Sequence, residues 1–262
     1  MIRAVCVILL GCLLTTTAHA ESEIVTFPVT EFSGETTMLR AKLNRPEGDG
    51  PFPAVALLHG CNGPNFVSTL DEQIFEPMGY VTLVIDSFGP RGLAHACDST
   101  NAYVAPPSIR ALDSHAGKAF LARLSYVNDE QIGVVGWSHG AMSILRAISN
   151  DVLNQPDRQA PFKAAVAFYP LCPTRLTGTD APLLILIGSA DTSTPLARCE
   201  SLSLAGDSEV YEIIVYPGAT HAFDWVDSPG EFYGHRMIYD AEVTEDAYRR
   251  MFDFLALHVQ AP

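Results

Sequence analysis

The stretch GWSHG, residues 136–140, stands where a run of apolar residues ends and a pattern with helical spacing begins. The apolar run at 132–135 predicts a buried strand, and residues 141–148 place apolar side chains on one helix face. A serine between two glycines at such a junction is typical of a sharp turn that presents the hydroxyl group, because a side chain at either glycine would collide with a neighbouring element. The alternative, Ser138 as an ordinary helix N-cap, accounts for the hydroxyl group but not for both glycines. The pattern therefore predicts that Ser138 is a nucleophile.

Similar apolar runs recur along the chain, and each is short and continuous rather than alternating. They lie at residues 55–58, 81–85, 132–135, 164–168, 183–187 and 210–216. Continuous runs are typical of strands buried on both faces, and hence of a mostly parallel sheet. Segments with helical spacing accompany them at 67–78, 109–124, 141–148 and 248–255. The alternation predicts an α/β fold with a central, mostly parallel sheet flanked by helices on both faces, and residues 24–45 are expected to add one or two antiparallel edge strands.

The first twenty residues, MIRAVCVILLGCLLTTTAHA, combine one positive charge, a mostly apolar stretch and the small-residue triplet AHA. This pattern predicts a secretory signal peptide over residues 1–20, too short to span a bilayer comfortably. The alternative is lipid attachment at Cys12, which ends the sequence LLGC. We expect an exported protein, periplasmic or secreted, with no stable membrane insertion once the signal peptide is removed.

The composition fits one large domain over residues 21–262. A chain of 262 residues, 48% of them hydrophobic, can bury a substantial core, and it contains no repeats or low-complexity tract. The net charge of −14 is spread without long runs or a basic stripe, so a nucleic-acid partner is not expected.

Four cysteines remain after the predicted signal peptide, namely Cys61, Cys97, Cys172 and Cys199. An even number in an exported protein predicts two disulfides, and the residues alone leave three pairings open. Four reduced thiols would be expected only if the chain were not exported.

A serine hydroxyl is a weak nucleophile at neutral pH, so Ser138 requires a base and an orienting carboxylate. Asp191 directly follows the fifth apolar run, and His221 follows the sixth. Of the eight histidines, only His221 follows a late predicted strand and comes after both other residues, which gives the chain order Ser, Asp, His. The alternative for Asp191 is a cap of the helix that begins near Pro195.

The chemistry also requires two backbone N–H groups that stabilise an oxyanion. His139 offers one at the start of its helix, and the loop HGCNG, residues 59–63, offers the other, which we assign to Cys61. His59 is interpreted as a residue that props this loop, since no second histidine or carboxylate stands at metal-ligand spacing. Neither a metal nor an organic cofactor is expected.

Taken together, these motifs resemble those of the α/β-hydrolases, and more narrowly those of the dienelactone hydrolase family. The resemblance covers about the whole mature chain and rests on HGCNG at 59–63, DSFGPRG at 86–92, GWSHG at 136–140, GSADTSTP at 188–195 and PGATHAFD at 217–224. The founding members use a cysteine nucleophile held by a glutamate near the first oxyanion loop. Here a serine replaces the cysteine, and the HGCNG loop contains no glutamate. The resemblance therefore implies an α/β-hydrolase fold and general ester or lactone hydrolysis, but not turnover of the family's namesake substrate.

The resemblance also implies roles for residues around the site. Arg91 stands roughly where the family places an arginine that receives the carboxylate of the substrate. The alternative is a salt bridge between Arg91 and a local acid such as Asp86 or Asp98. Trp137 and Phe88 are expected to lie near the site, in an apolar pocket.

In the strand arrangement of this family, Cys61 and Cys97 lie in loops that follow adjacent strands, and Cys172 and Cys199 follow another neighbouring pair. We therefore predict the disulfides Cys61–Cys97 and Cys172–Cys199, each of which would hold an active-site loop in place.

The leading hypothesis is a serine esterase that acts on a small-molecule ester or lactone. His221 takes the proton of Ser138, Asp191 fixes the imidazole tautomer, and the N–H groups of Cys61 and His139 hold the oxyanion, before water releases the acyl-enzyme. Two alternatives remain open. They are a secreted peptidase or acyltransferase on the same triad, and a non-catalytic binding protein on a hydrolase scaffold.

Overall fold

The computed structural model describes residues 21–98, 101–149, 161–179, 181–204 and 211–259. The predicted signal peptide over 1–20, including Cys12, lies outside the described residues.

The described residues form twelve strands, of which eight make one central sheet. The strands are β1 (Glu21–Thr30), β2 (Thr36–Arg45), β3 (Phe52–Leu58), β4 (Val81–Asp86), β5 (Val127–Trp137), β6 (Ala165–Phe168), β7 (Arg175–Leu176), β8 (Leu183–Gly188), β9 (Ser203–Leu204), β10 (Tyr211–Tyr216), β11 (Gly230–Phe232) and β12 (His235–Met237). The order in the central sheet is β1-β2-β4-β3-β5-β6-β8-β10, and the short strands pair as β7 with β9 and β11 with β12.

The sheet is parallel from β4 to β10, and the hairpin of β1 and β2 is antiparallel at one edge. Strands β3, β6 and β8 are almost entirely buried, which explains their continuous apolar sequences. The predicted α/β class with a mostly parallel sheet is confirmed, and so is the antiparallel edge predicted at 24–45.

The described residues also form five α-helices, which pack around the sheet. They are α1 (Asn65–Leu70), α2 (Pro107–Leu121), α3 (His139–Ala147), α4 (Leu196–Glu200) and α5 (Ala241–His258), with a π-helical turn at Asp71–Phe75 and 3-10 turns at Glu76–Met78 and Gly89–Arg91. A Cβ atom on Gly133 of β5 would meet Leu255 of α5, whereas one on Gly136 would meet Ile144 of α3. Residues three apart on a strand point to opposite faces, so helices cover both faces of the sheet.

The segment predicted to be helical at 67–78 lies in one helical stretch over 65–78, which is made of α1, the π-helical turn and the first 3-10 turn. The carboxylate of Asp71 is buried and accepts hydrogen bonds from the Asn44 amide and from the Thr82 hydroxyl group, the latter at 2.5 Å. Pro77 lacks an N–H group and cannot continue the helical ladder. The helical segment predicted at 67–78 is therefore confirmed, although its hydrogen bonding changes to a π-helical turn at Asp71 and to a 3-10 turn at Glu76.

Helix α2 buries a polar stripe more deeply than its apolar one. The expected apolar stripe, which includes Leu112 and Phe120, is only half-buried, whereas Arg110, Asp113 and Lys118 are buried. The polar face points inward because its members find partners there, as described below for Arg110 and Asp113.

The parallel strands all end at one edge of the sheet, and the loops that follow them meet there. Leu58 of β3 is in register with Gly136 of β5, and Gly188 of β8 with Tyr216 of β10. The sequence motifs that follow these strands are thereby brought to one site.

Candidate active site

The turn between β5 and α3 has the close packing that its sequence predicts. Ser138 has φ 51° and ψ −113°, a backbone conformation that is strained for a residue with a side chain. Its N–H group donates to the carbonyl oxygen of Phe168 at 2.9 Å, which fixes the turn against β6. A Cβ atom would lie 2.7 Å from the Gly140 carbonyl carbon if placed on Gly136, and 2.1 Å from the Leu58 oxygen if placed on Gly140. Both glycines are therefore required by close backbone approach.

Ser138, His221 and Asp191 form one hydrogen-bonded chain. Nε2 of His221 lies 2.9 Å from Oγ of Ser138, and Nδ1 of His221 lies 2.7 Å from Oδ2 of Asp191. His221 and Asp191 are buried, whereas Ser138 is half-buried. Helix α4 has Pro195 at its N-cap position and no side-chain cap, so Asp191 does not act as its cap. The structure thus brings together the three residues that the sequence predicted to react as a unit.

Asp191 is itself held by the turn that follows β8. Its Oδ1 accepts hydrogen bonds from the N–H groups of Ser193 at 2.9 Å and Thr194 at 2.8 Å, and its Oδ2 accepts one from the Thr194 hydroxyl group at 2.7 Å. The ring of Tyr169 packs edge-on against His221 with 4.7 Å between centroids. These contacts fix the orientation of the carboxylate. In that orientation it accepts a hydrogen bond from the protonated Nδ1 of His221.

His59 organises the loop that follows β3. Its ring is fully buried, with Nδ1 2.7 Å from the Gly60 oxygen and Nε2 accepting the N–H group of Ser87 at 3.3 Å. This pattern assigns the proton to Nδ1, which donates to Gly60. Burial, followed by the charge of Arg110, holds the pKa of His59 well below its usual value, so the ring is neutral.

Both cysteine pairs lie at bonding distance, in the pairing that was predicted. The Sγ atoms are 2.09 Å apart in Cys61–Cys97 and 1.96 Å apart in Cys172–Cys199. The first pair joins the loop after β3 to the segment after β4, and Ala96 N–H adds a hydrogen bond to the Cys61 oxygen at 2.7 Å. The second joins the segment after β6 to α4. The first disulfide therefore tethers the loop that lies against Ser138, and the second tethers α4, which follows the turn that carries Asp191.

Arg91 is not among the residues that line the cavity in front of Ser138, which is described below. Its guanidinium group forms a two-pronged salt bridge with Asp113, at 2.8 and 2.9 Å, and a third contact with Glu31 at 2.9 Å. Burial alone would lower the pKa of Arg91, but the two carboxylates raise it above its usual value. The expected carboxylate-binding role does not fit this placement, because the donors already serve protein acids. The partners are not Asp86 or Asp98, the local acids considered from the sequence.

Arg110 is fully buried on α2 and contacts both the loop after β3 and the start of α3. Its Nη2 donates to the His59 oxygen at 2.7 Å, and its Nη1 lies 2.6 Å from Nδ1 of His139. Burial and the charge of Arg110 lower the pKa of His139 to about 3, so its ring is neutral and Nδ1 accepts the hydrogen bond. Phe88 lies under this guanidinium group, 4.9 Å from ring centroid to Cζ, and does not line the cavity. We refer to His59, Arg91, Arg110, Asp113 and His139 together as the buried polar cluster.

A cavity opens in front of Ser138 and is lined mainly by large apolar and aromatic side chains. Its lining residues are Gly60, Cys61, Asn62, Phe66, Trp137, Ser138, Tyr169, His221, Ala222, Trp225, Phe232 and Met237. The ring of Trp225 contacts those of Phe66 at 6.5 Å and Phe232 at 5.9 Å between centroids. Within the described part of the chain, no lysine, arginine, aspartate or glutamate lines this cavity. We call it the aromatic cavity. Of the two residues predicted to lie in an apolar pocket, Trp137 lines it and Phe88 does not.

Asp224 connects two side chains that line the aromatic cavity, those of Trp137 and Tyr169. Its buried carboxylate accepts hydrogen bonds from Trp137 Nε1 at 3.0 Å, the Tyr169 hydroxyl group at 2.7 Å and the Tyr248 hydroxyl group at 3.0 Å. Burial raises the pKa of Asp224, and the three neutral donors oppose this rise. The network fixes the indole beside Ser138 and the phenol ring beside His221.

Sequence reasoning missed Arg110, Thr194 and Asp224. One signal for Arg110 was present, because Arg110, Asp113 and Lys118 recur close to helical spacing in a segment interpreted from its apolar residues alone. Such a polar stripe becomes informative only when its partners on other elements are known. Thr194 and Asp224 each follow a predicted triad residue by three positions, and this proximity was the only signal for them.

Two further properties concern the described residues as a set. They contain no group of three or more histidine, cysteine, aspartate or glutamate side chains arranged to hold a metal ion. None of the helices found among them has both the length and the apolar character needed to cross a membrane.

Comparison with known proteins places this geometry in context. A protein from Klebsiella pneumoniae subsp. pneumoniae MGH 78578 that is described as a dienelactone hydrolase is 20% identical, with a TM-score of 0.65 over 91% of this chain and 100% of its own. The dienelactone hydrolase-like promiscuous phosphotriesterase P91, from metagenomic libraries, is 15% identical, with a TM-score of 0.65 over 90% of this chain and 98% of its own. The dienelactone hydrolase of Anabaena variabilis ATCC 29413 is 15% identical, with a TM-score of 0.58 over 92% and 99% of the two chains. At these identities the likeness shows a shared fold.

None of the curated protein sequences compared with the chain matches it. The sequence model of the dienelactone hydrolase family, in contrast, matches residues 39–259, which is most of the chain. The structural likeness and this match agree, and the chain belongs to the dienelactone hydrolase family.

Proposed function

We propose that this chain is a serine hydrolase that cleaves neutral carboxylic esters or lactones through an acyl-enzyme at Ser138. The observation that carries the proposal is the hydrogen-bonded chain of Ser138, His221 and Asp191, which opens onto a cavity without charged side chains among the described residues. Membership of a hydrolase family supports the reaction class.

The geometry supports a two-step reaction. His221 Nε2 takes the hydroxyl proton as Ser138 Oγ attacks the carbonyl carbon, and Asp191 stabilises the imidazolium ion that forms. The negative oxygen is held by the N–H groups of Cys61 and His139. The carbonyl re-forms, the alcohol leaves with the proton from His221, and a water molecule activated by the same histidine then hydrolyses the acyl-enzyme.

The neutral substrate class follows from where the charges lie. The arginine expected to receive a substrate carboxylate already binds Asp113 and Glu31. A carboxylate in the aromatic cavity would lose water without gaining a cationic partner from the described lining residues, which costs several kcal/mol. An uncharged acyl group, by contrast, gains from contact with Phe66, Trp225 and Phe232.

We also propose that the protein is exported. The two disulfides support an oxidising compartment, because such bonds rarely persist in the cytosol. The signal-like sequence of residues 1–20 supports the same destination.

The test is turnover of 4-nitrophenyl butyrate by residues 21–262 and by its Ser138→Ala variant. We expect the substitution to lower kcat by at least about 10³-fold, because the nucleophile is lost. A fluorophosphonate probe should label Ser138 in the unmodified protein. Equal turnover by the two proteins, or labelling elsewhere, would contradict the proposal.

A further inference from the structure

Both proposed oxyanion donors are connected to one buried side chain. Arg110 donates one hydrogen bond to the His59 oxygen, in the loop that carries Cys61, and another to the ring of His139, the first residue of α3. One rigid guanidinium group therefore spans the gap between the two elements that supply the N–H groups.

We propose that Arg110 is a positioning residue that sets the separation and orientation of the two oxyanion donors, Cys61 N–H and His139 N–H. This inference rests on the proposed function. Arg110 touches no substrate and acts through the residues it holds.

On the loop side, two successive peptide groups are fixed. Arg110 holds the His59 carbonyl group, and the His59 ring holds the Gly60 carbonyl group. The carbonyl and N–H of a trans peptide point in opposite directions, so Cys61 N–H points away from its anchored Gly60 oxygen. The loop also lies against the nucleophile, since a Cβ atom on Gly60 would be 3.7 Å from that of Ser138.

On the helix side, the neutral ring of His139 accepts the second hydrogen bond. An anchored side chain at the first position of α3 restrains the rotation of that turn, and hence the direction of His139 N–H. Both donors thus acquire their relative placement from a side chain that belongs to neither element.

A purely structural ion pair does not account for Arg110. Among the described residues no carboxylate forms a salt bridge with Arg110. The nearby Asp113 accepts hydrogen bonds from Nη1 and Nη2 of Arg91. Burying an arginine without a direct acid partner is costly. Its positive charge, directed at the two oxyanion elements, favours the negative oxygen that develops in the reaction.

The test uses Arg110→Met and Arg110→Lys in residues 21–262, with kcat and KM for 4-nitrophenyl butyrate measured well below each melting temperature. We expect the methionine variant to lose about 10²- to 10³-fold in kcat, the effect of misplacing an oxyanion donor, with KM changed by less than about threefold. The lysine variant should recover part of kcat, because an ammonium group can reach one of the two acceptors. The rate of fluorophosphonate labelling at Ser138 should follow kcat.

Lys118→Met is the matched control. Lys118 is a buried cation on the same helix, and it donates to the oxygen of Pro161 at 3.0 Å, a residue that belongs to neither oxyanion element. It should lose stability while kcat stays within about twofold of the unmodified protein.

The outcomes separate the two proposals. If the unmodified protein hydrolyses the ester and Arg110→Met keeps its kcat, or loses it only as much as Lys118→Met does, the role of Arg110 is refuted alone. If Arg110→Met does not fold, an Arg110→Lys variant with unchanged kcat refutes it equally. An unmodified protein that neither hydrolyses esters nor labels at Ser138 refutes the proposed function, and the role of Arg110 with it.

Discussion

The aromatic cavity and the buried polar cluster lie side by side but differ in charge. They share the loop at 59–62, whose cavity side meets aromatic rings and whose other side meets Arg110. The cavity has no charged lining among the described residues, and the cluster contains two arginines and an aspartate that are almost fully buried. Charged residues close to a nucleophile are therefore not evidence of charge in the substrate site.

The two arginines of the cluster sharpen this contrast. Arg91 is neutralised by Asp113 and Glu31, whereas Arg110 donates to a carbonyl group and to a neutral imidazole ring. We expect loss of a paired charge in the cluster to cost stability, and loss of a triad or positioning residue to cost rate.

The largest predicted difference compares Asp191→Asn with Asp113→Asn. The first should lower kcat by about 10⁴-fold with little change in stability, because an amide favours the wrong tautomer of His221. The second leaves Arg91 partly unpaired and should lower the free energy of unfolding by about 3–5 kcal/mol, with kcat within about tenfold of the unmodified protein. Steady-state kinetics and denaturant unfolding of both variants make the comparison. If Asp113→Asn reduces kcat as much as Asp191→Asn does, the view that the paired charges of the cluster serve stability rather than rate is wrong.

A smaller effect concerns acid stability. The folded protein lowers the pKa of His139 to about 3 from a usual value of 6.5, so the unfolded chain binds a proton first as the pH falls. Titration of His139 therefore leaves the free energy of unfolding unchanged above pH 6.5. Between pH 6.5 and about pH 3 it lowers that free energy by about 1.4 kcal/mol per pH unit. In His139→Gln the amide oxygen can still accept a hydrogen bond from Arg110. Between pH 3 and 6.5 the slope of the free energy of unfolding against pH should be smaller in this variant by the equivalent of one bound proton. Identical slopes would show that His139 is not held neutral.

The sequence predicts the sheet, and the meeting of Ser138, Asp191 and His221 at its edge, for a physical reason. Strands buried on both faces have continuous apolar sequences, and parallel strands deliver the residues after them to one edge, so Ser138, Asp191 and His221 are recognisable by position. The buried polar cluster is different. Arg91 and Arg110 are buried because Glu31, Asp113 and the loop after β3 meet them in the folded chain, and no local pattern specifies those long-range partners.

The central claim is that the substrate site is uncharged and that the nearby charges are occupied elsewhere. Its most direct test is kcat/KM for a matched pair, 4-nitrophenyl pentanoate and mono-4-nitrophenyl glutarate, which differ by one terminal carboxylate. We predict that the neutral ester is favoured by at least about 100-fold, the cost of an unpaired carboxylate in the aromatic cavity, and that the ratio is unchanged in Arg91→Met. Equal or faster turnover of the glutarate ester, lost in Arg91→Met, would contradict the account and assign Arg91 to the substrate.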